Sequence, residues 1–199
     1  MSVITRAMEN SLAYRLWQAP FADKKIRPVL QGNDVAAARR VLDVGCGPGT
    51  STPLFDHAFY IGTDINEAYL HDARQRYGRA YVVADAGSQF LSGGQFDFIL
   101  VNSLMHHLDT ESVRATLTNL CGLLTDDGQI HILDLVLPSS PSPSRLLARL
   151  DRGDFPRPLE TWRALFCEQF EPVIFDPYPL GMMGVTLWSM VYFKGRPRR

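Results

Sequence analysis

The stretch "VLDVGCGPGT", residues 41–50, decides the fold. A short apolar run containing Asp43 passes directly into a turn that carries Gly45, Gly47 and Gly49. Such a turn has two explanations: the chain needs only a tight bend, or the backbone must come close to a ligand that a side chain would block. The rest of the sequence favours one of them.

Strand and helix patterns alternate after this turn. Pro53 begins a short helix that Thr52 can cap, and Asn66 and Gly78 bound a clear helix over 67–77. The continuous apolar run "FDFILVNS" predicts a strand buried on both faces. Strands are predicted at 40–44, 59–64, 80–85, 96–103 and 129–137, with a further helix at 110–125. This alternation is typical of an α/β fold with a parallel sheet.

The two ends of the chain extend this core. Helices are predicted at 5–18 and 21–31, and the connector "PSSPSPS" is followed by helices at 144–151 and 159–169 and strands at 171–177 and 185–193. A length of 199 residues predicts a single domain, 1–199. Within it we expect an N-terminal helical lid over 1–35 and an insertion on the substrate side over 138–158.

Composition excludes several classes of protein. The formal net charge is -1, so no strong field attracts nucleic acid or an anionic membrane. Cys46, Cys121 and Cys167 have no paired spacing and no histidine cluster nearby, so no metal site is expected. The N-terminal segment lacks a signal-like apolar core, and no run approaches the length of a membrane helix. We therefore expect a cytoplasmic protein that does not insert into membranes.

Acidic residues follow the second and third strands, where ligands bind in an open parallel sheet. Asp64 lies 21 residues after Asp43, a spacing typical of an acid that binds a ribose diol, and Asp85 could accept a hydrogen bond from adenine. Each acid alone could instead satisfy only backbone donors. Together with the glycines they predict an adenosine pocket. The G-x-G-x-G spacing and Asp43 disfavour a dinucleotide pyrophosphate and favour the cationic ligand S-adenosylmethionine.

These residues resemble the class I S-adenosylmethionine-dependent methyltransferases, in the branch of small-molecule and quinone C-methyltransferases. "VLDVGCGPGT" is similar to that superfamily's first motif, and "GTDIN", "VVADA", "FDFILVNSLMHHL" and "LLTDDGQIHILD" resemble its later blocks in order. The resemblance implies a Rossmann-like α/β fold with a seven-stranded, mostly parallel sheet, an antiparallel last strand and helices on both faces. It implies cofactor contacts at Asp43, Gly45, Cys46, Gly47, Gly49, Asp64, Ile65, Asp85, Ala86, Asn102 and Ser103.

His106 and His107 are the candidate catalytic residues, because they follow the fourth strand near the expected methyl group. His107 is the first choice as a base or as a donor that orients the substrate. Alternatively, one histidine packs under the cofactor and the other caps the next helix.

The substrate wall is expected to come from outside the common core. Tyr14, Trp17 and Phe21 could close over the cofactor or simply pack against the sheet. Arg149 and Arg152 could meet an anionic substrate or lie on a solvated helix face.

The expected activity is methyl transfer to an oxygen, nitrogen or carbon atom of a small molecule. Nucleic acid is disfavoured because "NSLM" stands where adenine-modifying branches carry a [DNS]-P-P-[YFW] turn. A nicotinamide oxidoreductase is disfavoured by the glycine spacing. A non-catalytic cofactor-binding protein and a protein methyltransferase stay as alternatives. The oligomeric state is open, and a homodimer is one arrangement to test.

Overall fold

The computed structural model describes residues 21, 23–33, 35–87, 95–151, 153–182 and 184–198. The helix predicted at 5–18 lies outside these residues, and residues 23–31 form the second predicted helix, here α1. Within the described part of the chain, no helix combines the length and the apolar character needed to cross a bilayer.

Among the described residues, seven strands form one sheet. Their bounds are β1 (Arg40–Val44), β2 (Phe59–Asp64), β3 (Ala80–Val83), β4 (Phe96–Asn102), β5 (Leu124–Val136), β6 (Phe170–Met182) and β7 (Val185–Pro197). The strand order is β3-β2-β1-β4-β5-β7-β6. Neighbouring strands among β1 to β5 pair in parallel, and β7 runs antiparallel to both β5 and β6. The predicted fold class, a mostly parallel seven-stranded sheet with an antiparallel last strand, is confirmed.

Helices cover both faces of this sheet. The remaining α-helices are α2 (Glu67–Tyr77), α3 (Thr110–Leu123), α4 (Pro143–Leu150) and α5 (Leu159–Gln169). Alternate residues of β4 separate the two cores: Ile99 and Val101 pack with α3 and α5, whereas Phe98 and Leu100 pack with α1 and α2. The strand at 96–102 is therefore buried on both faces, as its apolar run predicted.

Local signals place several of these elements. The Asn66 side chain accepts hydrogen bonds from the amides of Ala68 and Tyr69, and Gly78 ends α2 in the left-handed conformation. The segment after the glycines is a single 3-10 turn, Thr52–Phe55, so the predicted shortness is confirmed. The expected Thr52 cap is wrong: Ser51 occupies the cap position, and its side chain accepts no capping hydrogen bond.

Several strand boundaries differ from the predictions: β3 ends at Val83 rather than at residue 85, and β5, β6 and β7 are longer than predicted. β5 begins at Leu124 rather than at residue 129, because Leu124 already pairs with Phe96 before the register shifts. The last two strands form a long hairpin over 170–182 and 185–197, with 12 paired positions. β6 continues to Met182 rather than ending at residue 177, and it includes Pro177 and Pro179 because an edge strand tolerates proline.

Candidate active site

The order of the strands creates a crevice at the carboxyl ends of β1 and β4. The chain first builds β1, β2 and β3 outward on one side, then crosses back to lay β4 against the other side of β1. Segments leaving two such strands diverge to opposite faces of the sheet, so the space between them can take a ligand. The glycine turn follows β1, and the 3-10 turn Met105–His107 follows β4.

The three glycines of the turn have left-handed backbones, with φ angles of 68° at Gly45, 53° at Gly47 and 77° at Gly49. A Cβ atom on Gly45 would lie 3.1 Å from the Leu104 side chain, and one on Gly49 would lie 2.8 Å from the Tyr81 hydroxyl oxygen. Among the described residues, a Cβ atom on Gly47 would meet nothing within 4 Å. Packing within the protein therefore explains Gly45 and Gly49, and Gly47 is the glycine that borders open space.

Asp64 lies directly beside this turn. Its Oδ2 accepts a hydrogen bond from the Gly47 amide at 2.9 Å, and its Oδ1 accepts one from the Asn66 amide at 2.8 Å. The carboxylate is half-buried. A carboxylate oxygen has more than one acceptor site, so both oxygens can also receive hydroxyl groups. The end of β2 and the glycine turn thus form one hydrogen-bonded unit at the crevice.

Asp43 belongs to a buried network on the face that carries α1 and α2. Its Oδ2 accepts a hydrogen bond from the Tyr60 hydroxyl at 2.8 Å, and the Thr52 hydroxyl donates to Tyr60 at 3.1 Å. Burial raises the pKa of Asp43 to about 7, against the effect of the Tyr60 hydrogen bond, and the charge of Asp64 raises it further. The side chain supports the floor of the glycine turn from inside the protein. Its predicted contact with the ammonium end of a ligand stays a prediction.

The other residues near β2 and β3 that were predicted to contact the cofactor differ in their exposure to solvent. Ile65 is 73% exposed and offers an apolar side chain next to Asp64. Asp85 is exposed, and its Oδ1 accepts a hydrogen bond from the Gly87 amide at 2.8 Å, whereas Ala86 is buried. Cys46 is also buried, and burial raises the pKa of its thiol, which fits a packing residue rather than a nucleophile.

The end of β4 carries two polar residues with unusual features. The Oδ1 atom of Asn102 is buried and accepts no hydrogen bond from the described residues. Ser103 has a φ angle of 56°, in the left-handed region, and its amide donates to the Leu133 carbonyl at 2.8 Å. An unpartnered buried acceptor and a strained backbone often occur together at a binding site.

The two histidines have different environments. His106 is 4% exposed, and its Nδ1 lies 2.7 Å from Oδ1 of Asp134 at the end of β5. His107 is exposed, and its ring lies over the His106 ring with a centroid separation of 4.2 Å. Asp109, not a histidine, caps α3 by accepting from the Ser112 amide. Of the alternative roles, packing therefore describes His106, and helix capping describes neither histidine.

The predicted substrate residues are only partly within the described chain. Tyr14, Trp17 and Arg152 lie outside the described residues, and Arg149 is exposed on α4. Phe21 is buried and meets Trp188 edge-on at 5.1 Å, so the described end of the N-terminal segment packs against the β6–β7 hairpin. Sequence reasoning missed Asp134 and Arg157 as supports of the histidine turn. The one signal in the sequence was an acidic residue, Asp134, near the carboxyl end of the fifth strand.

Comparisons with known proteins agree with this geometry. Residues 41–128 match a family described as a methyltransferase domain. A trans-aconitate 2-methyltransferase from Methylobacterium radiotolerans is 31% identical over 182 residues, 87% of this chain and 63% of the relative. A malonyl-[acyl-carrier protein] O-methyltransferase from Legionella pneumophila is 35% identical over 78 residues, 35% of this chain and 28% of the relative. The chain thus spans less than two thirds of the length of these curated relatives.

A solved structure extends the likeness to the whole sheet. The N-methyltransferase NodS from Bradyrhizobium japonicum, in complex with S-adenosyl-L-homocysteine, matches with a TM-score of 0.72. The match covers 90% of this chain and 89% of that chain at 19% identity, so it concerns the fold.

The strand order and the strand connections define a Rossmann-like α/β domain, and the switch point of its sheet lies between β1 and β4. The family match and the fold together confirm the resemblance drawn from the motifs. Over residues 41–128 the chain is therefore similar to a methyltransferase domain, and its fold is that of a solved methyltransferase, in line with the predicted resemblance to class I S-adenosylmethionine-dependent enzymes.

Proposed function

We propose that this protein transfers a methyl group from S-adenosylmethionine to a small-molecule acceptor. One observation carries the proposal: a half-buried carboxylate, Asp64, bonds to the amide of Gly47, the glycine that borders open space. This unit joins the ends of β1 and β2, next to the switch point between β1 and β4. A carboxylate that is bonded to a glycine turn near the switch point can accept hydrogen bonds from the sugar hydroxyls of a nucleoside.

The residues of the crevice fit the cofactor. Asp64 would accept hydrogen bonds from the ribose hydroxyls, and Ile65 would pack on one face of the adenine. Asp85 and the backbone of Ala86 would meet the adenine edge. Asn102, whose Oδ1 has no hydrogen-bond partner among the described residues, could accept from the donor groups of the methionine end. When bound, this cofactor supplies a methyl group on a sulfonium that leaves as a neutral thioether.

His107 would accept the proton that the methyl acceptor loses. Partial desolvation of the ring, followed by the charge of the neighbouring His106, lowers the pKa of His107, so its ring is neutral at neutral pH and can accept a proton. The same neutral ring can donate a hydrogen bond, which would orient an acceptor that has no proton to lose. His106 is engaged with Asp134 through Nδ1 and is buried, so His107 is the better candidate for direct contact.

Carboxylic acids are the first acceptors to test, because the names of two relatives specify trans-aconitate and a malonyl group. A carboxylate is already a nucleophile and needs no base, whereas a hydroxyl, an amine or an activated carbon needs one. A protein-bound acyl group, as in the second relative, is the alternative acceptor. Binding without turnover would support the non-catalytic alternative.

Calorimetry tests the cofactor assignment. The protein should bind S-adenosylmethionine and S-adenosylhomocysteine but not NADH. Asp64→Ala should weaken cofactor binding by a factor of about 10 or more, because hydrogen bonds to a charged group contribute about 1.5–3 kcal/mol. Asp64→Asn, which keeps an acceptor for the Gly47 amide, separates ligand binding from loosening of the turn. Asp72→Ala, on the exposed face of α2, is the control. An unchanged dissociation constant in both Asp64 variants contradicts the ribose assignment.

Transfer of an isotopically labelled methyl group tests the reaction. The wild type is incubated with labelled cofactor and trans-aconitate, then with a panel of hydroxyl, amine and carbon acids. If His107 is a base, His107→Ala and His107→Gln both lower turnover by about 10²-fold or more with cofactor affinity intact. If it only donates a hydrogen bond, His107→Gln keeps most of the rate. Wild-type rates in both variants would show that His107 has no role in the reaction and only a structural one.

A further inference from the structure

The 3-10 turn that carries the two histidines is held from the side of the sheet by Asp134. This residue is fully buried at the end of β5. Its Oδ2 accepts a hydrogen bond from the Met105 amide at 2.8 Å, and its Oδ1 bonds to His106 Nδ1 and to the Leu135 amide, each at 2.7 Å. One carboxylate therefore fixes both the backbone of the turn and the plane of the His106 ring.

Arg157 holds the same turn from the opposite side. Its guanidinium is buried and donates to the Met105 carbonyl at 3.3 Å, to the Leu108 carbonyl at 2.8 Å and to the Thr110 hydroxyl at 3.3 Å. Its charge also lies 4.9 Å from the centre of the Trp162 ring. Because Met105 and Leu108 are both fixed, His106 and His107 between them are held in a defined position relative to the sheet.

His106 is enclosed between two carboxylates. Its Nε2 lies 3.8 Å from Oδ1 of Asp151 on the connector after α4, opposite the bond to Asp134. Gly153 packs so tightly on the ring that a Cβ atom there would collide with His106 Cδ2. Burial acts to lower the pKa of His106, but Asp134 and Asp151 outweigh it and raise the value to about 9. The ring is therefore an imidazolium at neutral pH, held without freedom to turn.

His107 rests on this imidazolium. The two ring centroids are 4.2 Å apart with planes inclined by 37°, and the His107 side chain is exposed. A cation at this distance disfavours a second proton on the upper ring. The charges that act on the histidine pair come from Asp134 on β5 and from Asp151 and Asp154 on the connector after α4. Lys25 on α1 and Arg157 interact with Asp134.

We propose that Asp134 and His106 are positioning residues for His107: the His106 imidazolium, fixed by the carboxylate of Asp134, is a platform that holds the His107 ring in place beside the crevice. The inference rests on the proposed function for the use made of His107. The platform itself can be measured without any substrate.

A nuclear magnetic resonance titration of the histidine rings tests the platform on the full chain. The protein has five histidines, so each signal can be assigned by a single substitution. We expect the His106 signal to titrate near pH 9 and the His107 signal below its ordinary value. His106→Gln should raise the titration midpoint of His107 by about 1 pH unit, since a like charge this close shifts a pKa by about that amount or more. His71→Gln, an exposed histidine on α2, should leave it unchanged.

A second variant protects the test against a folding defect. Asp151→Asn removes the carboxylate that is 24% exposed and leaves the fully buried Asp134 bonds intact. It should lower the titration midpoint of His106. If His106→Gln folds and leaves the His107 midpoint in place, or if Asp151→Asn leaves the His106 midpoint in place, the platform is refuted.

The pH profile of turnover separates this inference from the proposed function. With an active acceptor, the acidic limb of the kcat profile should move upward in His106→Gln, in step with the titration of His107. A fall in kcat with an unmoved limb would mean a merely structural role and would overturn the inference. If the His107 titration moves but His107→Ala keeps the wild-type rate, the platform stands and the assignment of His107 as base fails.

Discussion

The buried Asp43 should make this protein less stable as the pH rises from 4 to 7. Its carboxyl group is 1% exposed, and burial raises its pKa from the ordinary 3.8 to about 7. Between these values the folded state binds a proton that the unfolded chain has released. Stability therefore falls as pH rises through this window, and the full cost is present above pH 7.

The two values are about three pH units apart, and one unit corresponds to about 1.4 kcal/mol, so the cost at pH 8 is about 4 kcal/mol. At pH 5 the same reasoning gives about 1.5 kcal/mol. Asp43→Asn keeps an oxygen for the Tyr60 hydroxyl and removes the charge. Between pH 5 and pH 8, the wild type should thus lose about 2.5 kcal/mol more than this variant.

Urea unfolding at pH 5, 6.5 and 8 measures this difference. The comparison between pH values matters more than the absolute stability, because the side-chain N–H groups that Asp43→Asn introduces have no assured acceptors and cost about 1–3 kcal/mol at every pH. Asp72→Asn, which replaces an exposed carboxylate on α2, is the control and should follow the wild type. Parallel pH profiles for the wild type and Asp43→Asn would refute the reasoning.

Three further predictions concern the supports of the site. Gly49→Ala should lower the free energy of unfolding by about 2–4 kcal/mol, because a left-handed backbone and overpacking both act there. Gly47→Ala should lower it by about 1–2 kcal/mol, because only backbone strain acts at a position with no described neighbour near the added Cβ atom. Equal losses in urea unfolding would contradict this difference. Asn66→Ala should cost about 1 kcal/mol through loss of the α2 cap, and an unchanged urea midpoint would contradict the cap. Arg114→Ala should leave the midpoint of thermal unfolding nearly unchanged, although Arg114 bonds to Glu168 through two nitrogens, because both side chains are exposed. A clear fall in the midpoint would contradict this.

The central part of the fold could be predicted because each local signal agreed with the tertiary structure. β1 and β2 begin and end where their apolar runs do, and α2 lies between a capping asparagine and a left-handed glycine. The ends of β5 and β6 could not be predicted in the same way. Their extra residues are polar or include prolines, and only pairing with a neighbouring strand makes them strands.

Residues of the candidate site could be predicted where they belong to motifs that directly follow a strand. They could not be predicted where their position depends on contacts between residues that are distant in the sequence. The pairing of Asp64 with Gly47 joins consecutive motifs, so their spacing carried the information. The bond between His106 and Asp134 joins two strands' ends 28 residues apart, and Arg157 reaches back 52 residues to Met105. No periodicity or motif in the sequence encodes these contacts.

The prolines of β6 limit how copies of this protein can associate. β6 is the outermost strand beyond β7, and Pro172, Pro177 and Pro179 remove three amide donors from it. The opposite border of the sheet, β3, is only four residues long. Neither border offers the continuous ladder that a strand from another molecule would need, so sheet extension between subunits is disfavoured. If the protein is a homodimer, its subunits should meet through helices or loops instead.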